Sequence, residues 1–246
     1  MSETRVAVAV DGNGVAHVRL ARADKLNALD TAMFDALIDM GDRLAAMTDL
    51  RCVVLSGEGK AFCAGLDLGM MGALASSQLD LAARTHGHAN RFQQVAMLWR
   101  MLPVPVVAAI HGVCFGGGLQ IAAGADIRIA APDARLSVME LKWGIVPDMG
   151  HFALWRGLVR GDALRELTYT AGEFSGEAAR DLGFVTQVDA DPLARALAMA
   201  GEIAAKDPAA IRAAKALFTK ATDLSVEDIL IAESVAQDRL LAARHG

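Results

Sequence analysis

The sequence predicts an α/β fold. Three observations lead there: an alternating apolar and polar hairpin at the start, short β-rich segments that run repeatedly into stretches of helical spacing, and a tail of helical periodicity. With 246 residues, 54% of them hydrophobic, the chain can bury a large core without disulfides or metal. Aromatics are only 5% against 23 Gly, a composition suited to closely layered backbones.

Arg5 to Val10 and Val15 to Leu20 alternate apolar with polar across Asp11-Gly12-Asn13-Gly14, which reads as a hairpin. Asp30 is of the helix-capping type and precedes Met33, Phe34, Leu37, Ile38, Met40 and Leu44 at helical spacing. Cys52 to Leu55 follows as a buried strand. A second strand, Val106 to Ile110, leads into Gly116-Gly117-Gly118 and a buried helix, then come Ile127 to Ala130 and Leu136 to Val138. Met101 to Ala125 has no formal charge with His111 neutral, long enough for a membrane span, but Pro103, Pro105, Gly112, the Gly triplet and Gln120 interrupt it. Beyond about Asp189 three helices are expected, Pro192 to Lys206, Pro208 to Ala221 and Val226 to Ala243, with Asp191, Asp207 and Ser225 as start signals. This divides the chain into a core over residues 1–190 and a helical C-terminal region over 191–246.

A net charge of −5 without a basic run argues against a nucleic-acid surface, because phosphate binding needs clustered cations. Cys52, Cys63 and Cys114 have neither metal-ligand nor redox spacing and read as small buried filler in a reducing cytoplasm. Met1 to Arg5 leads straight into the first strand without the pattern of a secretory signal. His86-Gly87-His88 has no accompanying carboxylate or Cys cluster, so no metal is expected.

Two junctions join a short strand to small residues: Gly59 to Asp67, and His111 to Gly118. Free N–H groups there could bind phosphate or an oxyanion, and glycine lets a ligand approach the backbone, although such clusters also serve tight packing. No Gly-Lys-Ser/Thr or Gly-x-Gly-x-x-Gly follows, which excludes the common nucleotide loops.

In order and content these segments resemble the crotonase superfamily, the enoyl-coenzyme A hydratase/isomerase family, over nearly the whole chain. Arg22-Ala23-Asp24-Lys25-Leu26-Asn27-Ala28-Leu29 is similar to its first coenzyme A loop, Lys60 to Leu68 to its first oxyanion-hole loop, and Ile110 through Gly118 to its second. The resemblance implies a crotonase-like spiral of ββα turns with a C-terminal α-helical trimerisation region, a homotrimer or dimer of trimers, and an acyl-coenzyme A thioester partner. It implies no metal and no redox cofactor, coenzyme A being part of the substrate. The thioester carbonyl would be bonded by the N–H groups of Ala64 and Gly117. Lys25, Leu26 and Ala28 would hold the coenzyme, with Arg22 or Lys60 adding charge, and Gly65, Leu66, Asp67, Leu68 and Gln120 would complete the binding set. Gly72 to Arg100 takes the place of the variable acyl-binding region. Members usually continue past a pair like Asp238-Arg239 with a further helix that reaches the coenzyme, whereas this sequence stops at Gly246, so that contact is expected to be weaker or supplied differently.

Three positions bear on the reaction. Gln120 stands where hydratases of the family carry their first catalytic Glu, and losing a general acid/base typically costs about 10² to 10⁴ in rate. Glu140 matches the second Glu of hydratases and isomerases. Asp148 lies where hydratases usually have Gly; an Asp there resembles the Δ3,5-Δ2,4-dienoyl-coenzyme A isomerases, and also the 4-chlorobenzoyl-coenzyme A dehalogenases, which carry Trp in place of Glu140. Moving a double bond along a thioester requires removing a proton near the carbonyl and delivering one further along, which suits one ionised and one protonated carboxyl. Structural roles compete: Asp148 could cap the following helix, Glu140 could pair with a cation, and Trp143 could be packing or pocket wall. Cys63 lacks a His-Asp pairing, His111 reads as a buried hydrogen-bonded side chain, and His151 is expected to narrow the pocket. The reading is an acyl-CoA double-bond isomerase of fatty-acid or related acyl-CoA degradation. The alternatives are a hydratase with Gln120 positioning water, or a coenzyme A thioester-binding protein with little turnover.

Overall fold

The computed structural model describes residues 4–70 and 80–245; residues 72–79 of the expected acyl-binding segment lie outside that set. The chain opens with strands β1 (Val6–Val10) and β2 (Val15–Leu20), paired antiparallel with Val8 opposite Val18. Asp11 closes their turn by accepting the N–H groups of Asn13 and Val15 at 2.9 Å each. Helix α1 (Thr31–Ala45) starts at Asp30, whose side chain accepts the Met33 N–H at 2.8 Å, and buries Met33, Phe34, Leu37, Met40 and Leu44. After β3 (Cys52–Gly57) comes α2 (Arg91–Met101), begun by a reciprocal Asn90–Gln93 cap. Strands β4 (Val106–Ile110) and β5 (Val113–Phe115) lead to the wholly buried α3 (Gly117–Ala123), so the long uncharged run is core. Strands β6 (Ile127–Ala130) and β7 (Arg135–Ser137) precede a 3-10 turn at Glu140–Trp143, then α4 (His151–Leu154) and α5 (Gly161–Thr170). The chain continues through β8 (Glu173–Ser175), α6 (Gly176–Leu182) and β9 (Gln187–Val188) into α7 (Pro192–Ala204), α8 (Pro208–Ala221) and α9 (Val226–His245).

A six-stranded sheet runs β1-β2-β3-β4-β6-β9, parallel from β2 onward, and a three-stranded sheet runs β5-β7-β8. Strands of a parallel sheet are covered on both faces, which is why β3 from Cys52 to Leu55 and all of β4 are apolar. Val53, Leu55, Val106, Ala108 and Ile110 face the main core with α1 and α2. Their neighbours Cys52, Val54, Val107 and Ala109 face Ala196, Ala200 and Ala204 of α7.

Helix α7 lies beyond residue 190 yet forms the second cover of the sheet, so the projecting helices are α8 and α9. Asp191 and Asp207 cap α7 and α8 through the Ala194 and Ala210 N–H groups, as their Asp-Pro pairs suggested. Helix α8 is tied back by Lys215, whose Nζ lies 2.6 Å from both Asp126 carboxylate oxygens. Helix α9 packs on α8 and leaves Leu230 and Ile231 exposed. The three cysteines are free and buried, and no helix among the described residues is long and apolar enough to cross a membrane.

Candidate active site

Three loops and a 3-10 turn meet around one cavity of about 530 Å³. Lys25 and Ala28 line it from the first loop, Ala64, Gly65, Leu66, Asp67 and Leu68 from the second, Gly117 from the third, and Glu140 from the turn. Leu26, Gln120 and Asp148 belong to the same segments but do not form its wall. Phe115, Gly116, Met139, Lys142, Trp143, Ile145 and Glu173 complete it; Trp143 is therefore pocket wall.

The first loop turns through two consecutive left-handed residues, Leu26 (φ 50°) and Asn27 (φ 57°). Asn tolerates that conformation better than most side chains. Asn27 is fully buried: its amide donates to the carbonyls of Ala61 (2.8 Å) and Glu58 (2.9 Å), while its Oδ1 accepts the Arg22 N–H. Sequence reading passed over Asn27, although an Asn flanked by a capping Asp and a basic residue was the available sign. Arg22 is not a free phosphate contact. Its guanidinium pairs with Asp67 at 2.6 Å, lies 3.5 Å from Asp30 and donates to the Ala28 carbonyl. That hydrogen bond, with the Gly69 N–H, holds the Asp67 carboxyl below the usual carboxylate range, so Asp67 works as a clamp between loops. Of the cations in the first loop, Lys25 is the one at the cavity.

The second loop corrects the expected donor. The Ala64 N–H donates to the Leu26 carbonyl at 2.9 Å and is already used in joining the two loops. Gly65 (φ +88°) turns the chain so that its carbonyl accepts the Leu29 N–H and Asp67 donates back to Leu29, leaving the intervening Leu66 N–H without a partner among the described residues. Gly117 opens α3 in the same condition, since the first intrahelical bond runs from Gln120 to Gly116. The two loops touch: a Cβ placed on Gly65 would stand 2.8 Å from the Phe115 carbonyl oxygen and 3.6 Å from the Gly117 nitrogen. Beneath them Cys63 donates to the Asn27 carbonyl at 3.1 Å, and burial pushes its thiol up to about 12, which removes it as a nucleophile. His111 is half-buried, with Nε2 3.0 Å from the Gly59 carbonyl.

Glu140 is 8% exposed and pairs with no cation among the described residues. Its Oε1 accepts Gln120 Nε2 at 2.6 Å, and its Oε2 is buried without a hydrogen-bond partner among the described residues. A Cβ on Gly116 would lie 3.2 Å from Oε1, so the glycine clears the approach to the carboxyl. Burial raises the Glu140 pKa and the charge of Asp148 adds to the rise, against the Gln120 donor and nearby backbone amides. Asp148 is half-buried and its pKa is raised by the same loss of water. It caps nothing: α4 begins after Gly150 with no side-chain cap.

Gln120 also departs from expectation. It is 2% exposed, its amide oxygen accepts the N–H groups of Met149 (2.8 Å) and His151 (3.2 Å), and it does not touch the cavity. His151 does not narrow this pocket either; it lines a separate cavity of about 510 Å³, near Thr168, and burial lowers its pKa to about 4. His86 and Ala89 bridge across a tight turn, and no cluster of three metal-ligating side chains occurs among the described residues.

A six-stranded, mostly parallel sheet beside a small second sheet, with the cavity where their loops converge, defines a crotonase-like protein. The profile of enoyl-CoA hydratase/isomerase matches residues 11–245. The chain belongs to the enoyl-CoA hydratase/isomerase family. It is 33% identical over 225 residues to the mitochondrial Δ3,5-Δ2,4-dienoyl-CoA isomerase of Mus musculus, covering 88% of this chain and 69% of that one. Among solved structures it is similar to an enoyl-CoA hydratase of Mycobacterium smegmatis (TM-score 0.86, 31% identity, 97% of this chain and 91% of that one). A Thermobifida fusca YX protein assigned as an enoyl-CoA hydratase and solved with CoA gives TM-score 0.86 at 28% identity, covering 98% of this chain and 95% of that one.

Proposed function

We propose that this chain is an acyl-CoA double-bond isomerase acting on 3,5-dienoyl thioesters in fatty-acid or related acyl-CoA degradation. The observation that carries the reading is Glu140: a buried carboxyl without a cation, its Oε2 unpartnered, in the wall of the cavity that also holds Leu66 and Gly117. The thioester oxygen would accept the Leu66 and Gly117 N–H groups, which stabilise charge as it develops there. Glu140 takes the C2 proton; the C–H bond breaks, an O–H bond forms, and the electron pair moves onto the thioester oxygen as a trienolate that extends to C6. Asp148, protonated, then delivers its proton to C6, the pair returns to carbon, and the conjugated 2,4-dienoyl thioester results. One proton enters the enzyme and one leaves, and a proton passing from Glu140 to Asp148 resets it. Burial raises the pKa of both carboxyls and the charge of Asp148 adds to the rise at Glu140, so ionising both at once is disfavoured.

These steps need no resident cofactor, coenzyme A being part of the substrate, and the CoA complex of the Thermobifida fusca neighbour supports an acyl-CoA ligand. Lys25, in the cavity wall, would meet its phosphates, and Leu68, Trp143 and Ile145 would give the acyl group an apolar wall. The hydratase alternative loses ground because the Gln120 carbonyl is already engaged by two backbone N–H groups. Three buried free thiols fit a reducing, cytoplasmic setting.

The test is conversion of a 3,5-dienoyl-CoA, followed by ultraviolet absorbance of the conjugated product. Glu140→Gln should lower kcat at least about 10²-fold with the melting temperature little changed. A variant as fast as wild type would exclude Glu140 as the base, and wild-type binding without turnover across enoyl and dienoyl thioesters would favour a binding protein.

A further inference from the structure

We propose that Gln120 is the positioning residue of this site: it selects Glu140 Oε2 as the oxygen that carries the proton and fixes the Asp148 segment against it. The proposal rests on the isomerase reading for its catalytic meaning but stands on geometry of its own. Two backbone N–H groups, from Met149 and His151, converge on the Gln120 carbonyl oxygen, so its orientation is settled: the amide nitrogen must face Glu140. That nitrogen donates to Oε1 at 2.6 Å, and an oxygen receiving such a bond is the poorer place for a proton. Oε2, buried and unpartnered, is left to accept and release it.

The other end of the same side chain grips Met149, the residue after Asp148. One neutral amide thus links the two carboxyl-bearing segments, which are otherwise a 3-10 turn and an irregular stretch with no ladder between them. A double-bond shift needs its two proton sites at a set separation along the acyl chain, and a misplacement of about 1 Å can cost 10²-fold. Neutrality matters as much as reach. The charge acting on Glu140 is Asp148 from the following segment, and the cavity wall also carries Lys25, Asp67, Lys142 and Glu173. A carboxylate at position 120 would add a third acid to the buried group and hold Glu140 protonated to higher pH.

The test uses the full chain as wild type, Gln120→Ala and Gln120→Glu. Glu140 is titrated by carbon-13 NMR of labelled glutamate side chains, its resonance identified by Glu140→Gln. Removing the donor in Gln120→Ala should raise the Glu140 midpoint by about one pH unit, and Gln120→Glu should raise it further. In turnover, Gln120→Ala should lower kcat about tenfold or more with KM within about threefold, and Gln120→Glu should move the acid limb of kcat/KM upward by about one unit or more. A side chain that merely supports the fold would lower the melting temperature and leave midpoint and pH profile in place. A Glu140 midpoint shared by wild type and both variants overturns the proposal, and because Gln120→Glu is nearly isosteric it still decides the matter if Gln120→Ala fails to fold. Wild-type protein that isomerises no thioester would refute the isomerase reading, while the titration judges Gln120 independently.

Discussion

Substituting Gly65 by Ala should disable the site through the backbone alone. Gly65 sits at φ +88° with its carbonyl bonded to the Leu29 N–H, and the peptide bond that follows carries the free Leu66 donor. An Ala there meets two obstacles. The left-handed backbone itself costs about 1 kcal/mol or somewhat more. The new Cβ would also lie 2.8 Å from the Phe115 carbonyl oxygen, several tenths of an ångström inside contact distance, and both partners belong to backbone held by hydrogen bonds. Together these amount to roughly 3 kcal/mol, or about 6–12 °C in melting temperature for a chain of this size. The loop relieves the clash by moving the Gly65–Leu66 peptide, and losing one donor of this kind costs about 10² to 10³ in kcat. Gly157→Ala is the control, because Gly157 (φ +80°) has the same backbone demand with nothing within 4 Å of a new Cβ and lies outside the cavity. It should lose about 1 kcal/mol and keep wild-type turnover. The pair is read by thermal unfolding and by dienoyl-CoA isomerisation at saturating substrate. Gly65→Ala that matches Gly157→Ala in stability and keeps kcat within about threefold would refute the assignment of Leu66 as a donor.

Burial lowers the His151 pKa from 6.5 to about 4, so the unfolded chain binds a proton that the folded chain does not between those values; stability is complete above pH 6.5 and falls by about 3 kcal/mol as the pH drops to 4. Urea unfolding of His151→Gln across that range should show a shallower pH dependence, and an unchanged slope would contradict a neutral buried imidazole. Lys215→Met should cost about 2–3 kcal/mol, less than a wholly buried pair because Asp126 is 30% exposed and still accepts the Val106 N–H, and adding Asp126→Asn should recover part of it. A strictly additive double variant would argue against a coupled pair. Helices α8 and α9 leave Phe218, Leu230 and Ile231 exposed, so light scattering should find three or six chains per particle; a monomer would refute the trimerisation role.

Local signals in the sequence were reliable where the physics is local. The hairpin follows from alternation around a turn, and the starts of α1, α7 and α8 follow from Asp30, Asp191 and Asp207, whose carboxyls satisfy N–H groups three residues on. The loops that line the cavity were visible as clusters of small residues, but which N–H group stays free was not. Whether Ala64 or Leu66 offers a free N–H depends on where Leu26 and Leu29 direct their carbonyls, a matter of how two distant loops lie together. Gln120 was read as a lost acid or a water holder because its type was plain and its partners were not: Met149 and His151 return to it only in the folded chain. Likewise a capping role for Asp148 was reasonable from Pro147 and the helix ahead, until Gly150 took the cap position.

The cavity draws its walls from Lys25 at one extreme and Glu173 at the other, with the second and third loops between. Leu66 and Glu140 come from distant parts of the chain, so no short peptide cut from it holds both. The pocket wall is complete only when the strand bearing Glu173 has paired with β7. Catalytic activity is therefore a stringent reporter of completed folding: circular dichroism can recover as helices and early strands form, while turnover must wait for the last wall.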